Sequence, residues 1–188
     1  MVMKKKIKDH LNLTATILAS LDIASIENLA VKMKECWNRK GIIYTCGNGG
    51  SASTAAHFTG DIVKGLSTGK QTRFKSLCVS DNVTAFSALA NDLSYDEVFV
   101  EPLKTFLTPN DMLITFSGSG NSTNILKAID YANQIKATTV AICGFDGGKA
   151  KELATYNIHA NVNDMEVAEN IHVVIMHALK LCFMSIEK

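Results

Sequence analysis

Two histidines and several carboxylates stand at spacings that could let them act together. His57 and Asp61 are four residues apart, so a helix would carry them on one face, one turn apart. Further on, Glu166, Glu169 and His177 share a helical face through spacings of three and eight, whereas His172 points elsewhere. A carboxylate beside an imidazole can move protons between adjacent carbons. The same oxygen and nitrogen donors could equally hold a divalent metal. The segment around His172 and His177 is otherwise strongly apolar, and polar groups in such a helix need partners or a purpose.

A second set of residues suits an anion. The run Met112-Leu113-Ile114-Thr115-Phe116 leads into Ser117-Gly118-Ser119-Gly120-Asn121-Ser122, followed by a helical pattern. Glycines let backbone approach a ligand, and hydroxyls converge there with the free N–H groups of a helix start. The helix dipole favours negative charge, so a phosphate monoester fits, although an ordinary serine-capped helix would look similar. The turn lacks the lysine of a nucleoside triphosphate loop, and Gly118-x-Gly120 lacks the third glycine of a dinucleotide fingerprint. No nucleotide cofactor is expected. Gly47-Asn48-Gly49-Gly50-Ser51 forms an equivalent turn after an earlier apolar run, with Asn48 and Ser51 offering polar contacts.

These turns need a scaffold. Residues 4–21 and 25–39 read as two helices, with Ser25 near Asn28 as a candidate N-cap. Strands are expected at 41–46, 75–79, 112–116, 138–143 and 158–160. Helices are expected at 51–64, 83–90, 95–106, 121–135 and 164–186. Alternation of apolar strands with helices predicts an α/β fold, a parallel five-stranded sheet covered on both faces. Ligands bind such sheets beyond the carboxyl ends of the strands, where both glycine-serine turns fall.

Composition narrows the function classes. The chain's 188 residues suit one domain over 1–188, with a helical extension over about 1–40. Nineteen basic against eighteen acidic residues leave a net charge of +1, so no global field points to nucleic acid or a membrane. The Lys4-Lys5-Lys6 cluster reads as a solvated helix start. No secretory signal is apparent, and no apolar run is expected to span a bilayer. Five cysteines without a Cys-x-x-Cys pair read as buried thiols of a cytoplasmic protein.

The ordered set Gly47-Asn48-Gly49-Gly50-Ser51-Ala52, His57-Phe58, Ser117 to Ser122 and a late helix with His172 and His177 resembles the phosphoheptose isomerases among the SIS domain proteins. Asn91-Asp92 and the Asp146-Gly147-Gly148-Lys149 turn are similar too, and the resemblance runs over almost the whole chain. It implies a flavodoxin-like three-layer sandwich preceded by two helices. It also implies a homotetramer with active sites at subunit interfaces. The implied reaction converts sedoheptulose 7-phosphate to D-glycero-D-manno-heptose 7-phosphate through an enediol. Ser51, Ser117, Ser119 and Ser122 would hold the phosphate with Gly49, Gly50 and Gly118, and Asn48 and Asp92 would lie nearby.

By the same resemblance, His177 is the catalytic histidine and His57 a zinc ligand. Asp61 stands where the family has glutamate, and Glu169 where it has glutamine. These four residues form the implied zinc set, with Asp61 or Glu169 as base. An arginine common in the family is replaced by Val63-Lys64-Gly65, with Lys64 as the candidate substitute. The rival readings are a SIS protein for another sugar phosphate and a non-catalytic, protein-binding relative.

Overall fold

The structure, a computed structural model, describes residues 2–184. Two helices open the fold, α1 (Val2–Ala19) and α2 (Ile23–Asn38). The cap of α2 is Asp22 rather than Ser25: its carboxylate accepts from the Ala24 N–H, and the Ser25 hydroxyl donates to it. A carboxylate at that end also meets the helix dipole, which a hydroxyl does weakly.

Five strands follow: β1 (Ile42–Gly47), β2 (Lys75–Cys78), β3 (Met112–Ser117), β4 (Thr138–Cys143) and β5 (Tyr156–His159). All pair in parallel, in the order β2-β1-β3-β4-β5. This is the flavodoxin-like order, which reverses between β1 and β3. The two glycine-serine turns therefore flank the point of reversal.

The connecting helices are α3 (Gly50–Gly60), α4 (Val83–Asp92), α5 (Val100–Phe106), α6 (Thr123–Gln134), α7 (Gly148–Leu153) and α8 (Met165–Met184). Side chains alternate across the sheet. Ile43, Ile114, Val140 and Ile142 face α2, α3 and α8, whereas Tyr44, Leu113 and Ala141 face α5 and α6. At the far edge from the turns, buried Asp111 accepts from the Ile42 and Thr108 N–H groups, pinning the start of β1 to the loop before β3.

Several elements differ from expectation. The helix expected over 51–64 ends at Gly60 and continues as a π-helical segment, Asp61–Leu66. The segment expected over 95–106 splits into a 3-10 turn, Tyr95–Glu97, and α5. The Asp146–Lys149 turn starts a short helix, α7, that the lone glycines concealed. Residues 185–186 of the last expected helix lie outside the described residues. Four cysteines are buried as expected, and burial pushes the Cys36 thiol up to about 11, but Cys182 is exposed.

By length and composition alone α8 is long and apolar enough to cross a bilayer, a test that the core helix of a globular fold also passes. Here Val167, Ile171, Ile175, Leu179 and Phe183 bury its apolar side against the sheet and α2.

Candidate active site

The β1 turn and the β3 turn meet across the reversal point through two amides. Asn48 Nδ2 donates to Asn124 Oδ1 at 2.9 Å, and Asn124 Nδ2 donates back to Asn48 Oδ1 at 3.0 Å. The Tyr95 hydroxyl donates to the same Asn48 oxygen at 2.9 Å. Asn124 and Tyr95 escape sequence reasoning, because nothing local marks a side chain whose partner lies in another loop. Gly49, at φ +55°, turns the chain into α3, and Ser51 is buried in its first turn.

The serine turn is shaped by its own hydroxyls. Ser117 Oγ accepts from the Gly120 N–H at 3.0 Å, and Ser119 Oγ from the Asn121 N–H at 3.2 Å. Ser122 occupies the N-cap of α6 but makes no side-chain cap bond, so this is not an ordinary serine cap. Both hydroxyls that accept can still donate to a ligand. A second turn buttresses the first from behind: Gly144 N–H donates to Gly118 O, Ala150 N–H to Gly120 O, and Lys149 N–H to Asn121 Oδ1. The sulfur of Met165, at the start of α8, lies against Gly118.

α8 then runs beside α3. The Glu169 carboxylate lies against Gly50 at the N-terminus of α3, where the helix dipole suits an anion. Two turns on, His57, Asp61 and His177 come together, with one ligand atom of each within 4.8 Å of the others. Asp61 Oδ2 lies 3.8 Å from His57 Nε2 and 3.6 Å from His177 Nε2, and the two rings meet edge to face at 5.1 Å. That oxygen is buried and, among the described residues, has no hydrogen-bond partner. Lys180 Nζ donates to the other oxygen at 2.6 Å, a partner that sequence reading misses. The imidazoles are about half exposed (52% and 45%) while Asp61 is 14% exposed, so the group opens at one side.

Of the residues expected to cooperate, the structure thus gathers His57, Asp61 and His177. It does not bring Glu169 into that group, nor Glu166, which is exposed. Asp92 closes α4, exposed, and lines an apolar groove of about 1000 Å³ between β2, α4 and α5.

His172 stands apart. It is fully buried against Phe116, and burial, only partly opposed by the Cys143 backbone, pushes its pKa down to about 4. The folded protein therefore keeps it neutral while the unfolded chain takes up a proton below the ordinary value near 6.5. Stability is unaffected above that value and falls by about 3 kcal/mol as pH drops from 6.5 to 4. Urea unfolding of wild type and His172→Leu at pH 7 and pH 4 checks this: the variant should lose less stability than wild type over that range. Equal losses would show that His172 is not the group responsible.

The donor set fits a divalent cation. Bonds of 2.0–2.2 Å in tetrahedral geometry put ligand atoms about 3.4 Å apart, close to the two distances at Asp61 Oδ2. Nitrogen and carboxylate ligands suit zinc among several metals.

The SIS domain family matches residues 8–144. The lincomycin biosynthesis protein LmbN of Streptomyces lincolnensis is 37% identical over 155 residues, 77% of this chain but 56% of that protein. The phosphoheptose isomerase of Helicobacter pylori strain Shi470 is 36% identical over 79% of this chain and 77% of its own length. The fold is that of phosphoheptose isomerase GmhA from Neisseria gonorrhoeae, with a TM-score of 0.90, 23% identity, and coverage of 97% of this chain and 99% of that one. The chain belongs to the SIS domain family, within its phosphoheptose isomerase group.

Proposed function

We propose that this chain is an aldose–ketose isomerase that interconverts sedoheptulose 7-phosphate and D-glycero-D-manno-heptose 7-phosphate. The observation that carries this reading is the pair of glycine-serine turns across the sheet's reversal point, locked by Asn48 and Asn124. Ser51, Ser119 and Ser122 hydroxyls, with the first N–H groups of α3 and α6, would hold the phosphate, and Ser117 would keep the turn in shape.

At the other end of the sugar, Asp61 takes the proton from the carbon beside the ketose carbonyl. His177 donates a proton to the carbonyl oxygen, which gives the cis-enediol. Return of the carbon proton to the neighbouring carbon, with loss of the proton from the terminal hydroxyl, gives the aldose. His57, Asp61 and His177 would hold a zinc ion, and with the His177 nitrogen taken up as a ligand it is the ion that would polarise the carbonyl and hydroxyl oxygens, in place of the His177 proton. Glu169 is the second candidate base, and it lies nearer the phosphate turns.

Twelve residues of α8 separate Met165, at the serine turn, from His177, about 18 Å of helix. A seven-carbon chain with its phosphate extends about 10 Å at ordinary bond lengths. In this reading the site lies at a subunit interface of a homotetramer, as the likeness to the phosphoheptose isomerases suggests, although within one copy Ser51 stands only six residues, about 9 Å of α3, before His57. A cytoplasmic location follows from a sugar-phosphate substrate.

A coupled assay tests the reading. The expected result is turnover of sedoheptulose 7-phosphate, at least tenfold slower after chelation and dialysis and restored by zinc. Turnover of a hexulose or amino-sugar phosphate, with none of the heptose, would move the assignment to another sugar. An unchanged rate in verified metal-free protein would remove zinc from it.

A further inference from the structure

Asp61 has two oxygens in different surroundings. Oδ2 faces His57 and His177 and, among the described residues, has no hydrogen bond, whereas Oδ1 accepts from the Lys180 ammonium at 2.6 Å. Lys180 stands on α8, three residues after His177, and its side chain is 24% exposed. Its stem crosses the π-helical segment at Gly65: a Cβ there would lie 2.8 Å from Lys180 Cε and 3.4 Å from Nζ. The glycine is the gap that lets the ammonium reach the acid. Lys64, the substitute cation expected from the sequence, is exposed, and the ion pairs of Asp61 are with His57, His177 and Lys180.

A carboxylate turns readily about its terminal torsion, which is broad and two-fold. A short, charge-assisted bond to one oxygen removes that freedom. Aspartate is also one methylene shorter than glutamate, so its reach to a reacting carbon depends more on orientation, and a misplacement of about 1 Å can cost about 10²-fold in rate.

We propose that Lys180 is a positioning residue, whose ammonium holds Asp61 with Oδ2 turned to the two imidazoles. This rests on the proposed role of Asp61. It also has a cost for metal binding, since a cation bound at Oδ2 shares the carboxylate with an ammonium, and like charges in a half-buried site repel.

The test uses the whole protein as wild type, Lys180→Met and Lys180→Arg, each with its thermal melt. With sedoheptulose 7-phosphate, Lys180→Met should lower kcat roughly 10- to 100-fold and leave KM within about threefold. Lys180→Arg keeps the charge and should recover at least part of that loss. Titration with cobalt(II), followed by its visible spectrum, should show affinity raised at least tenfold in Lys180→Met and not in Lys180→Arg. Wild-type kcat in Lys180→Met, or equal losses in both variants, overturns the proposal. So does equal cobalt affinity in all three proteins, whether measurable or absent. If wild type turns over no heptose phosphate, the functional reading fails, while the cobalt comparison still decides whether Lys180 governs Asp61.

Discussion

Asp61→Asn is expected to lower kcat for sedoheptulose 7-phosphate by roughly 10²- to 10⁴-fold, the range of a lost general base. The substitution keeps shape and volume, and its amide oxygen still accepts from Lys180, so the fold should survive. What disappears is the anionic oxygen that sits 3.6 Å from His177 and 3.8 Å from His57. KM should change by only a few-fold, because the phosphate is held elsewhere. Steady-state kinetics with a thermal melt as control decide the matter. A kcat within threefold of wild type would remove Asp61 from the chemistry. If instead Glu169→Gln abolishes turnover while Asp61→Asn does not, the base is the carboxylate beside Gly50.

Gly120→Ala should be among the most damaging single-methyl changes available. Gly120 has φ +64°, a conformation that costs an L-residue about 1–2 kcal/mol. Its missing Cβ would also collide with the Gly147 carbonyl of the buttressing turn, where backbone cannot step aside as a flexible side chain can. The sum is about 2–4 kcal/mol, or a Tm lower by roughly 5–15 °C. Gly69→Ala is the control, since Gly69 has φ +76° and open space around it. It should lose only the backbone part, about 1 kcal/mol. Equal melting shifts in the two variants would mean that the contact between the turns contributes nothing.

Much of this arrangement is legible in the sequence because it is local. Apolar runs ending in glycine-serine turns announce strands and the loops after them, and the four-residue step from His57 to Asp61 places both on one face. What stays hidden depends on distant pairings. Lys180 meets Asp61 across 119 positions, and it reads as an ordinary solvated lysine until α8 is laid beside α3. Glu169 and His177 share a helical face, yet the helix is long enough to deliver one to Gly50 and the other to His57. Asn124 lies only two residues beyond the serine turn, but its importance depends on Asn48, 76 positions away. The π-helical step at Asp61 also has no composition cue, since its insertion answers to packing under α8 rather than to propensity.

The reciprocal amide pair has a consequence for how the protein ages. Asn48 precedes Gly49, the residue whose peptide nitrogen is least hindered in attacking the carbonyl carbon of the preceding asparagine side chain. That attack expels the side-chain nitrogen as ammonia and closes a cyclic imide, which water opens to aspartate or isoaspartate. In the folded chain the Asn48 amide is engaged with Asn124 and Tyr95, and cyclisation must first break those bonds. The Nδ2 donor leaves as the imide closes, and once water has opened the ring a carboxylate stands where two loops had been tied by neutral groups. The tie between the loops is therefore also a chemical guard: while the chain stays folded, its most hydrolysis-prone side chain is held out of reaction.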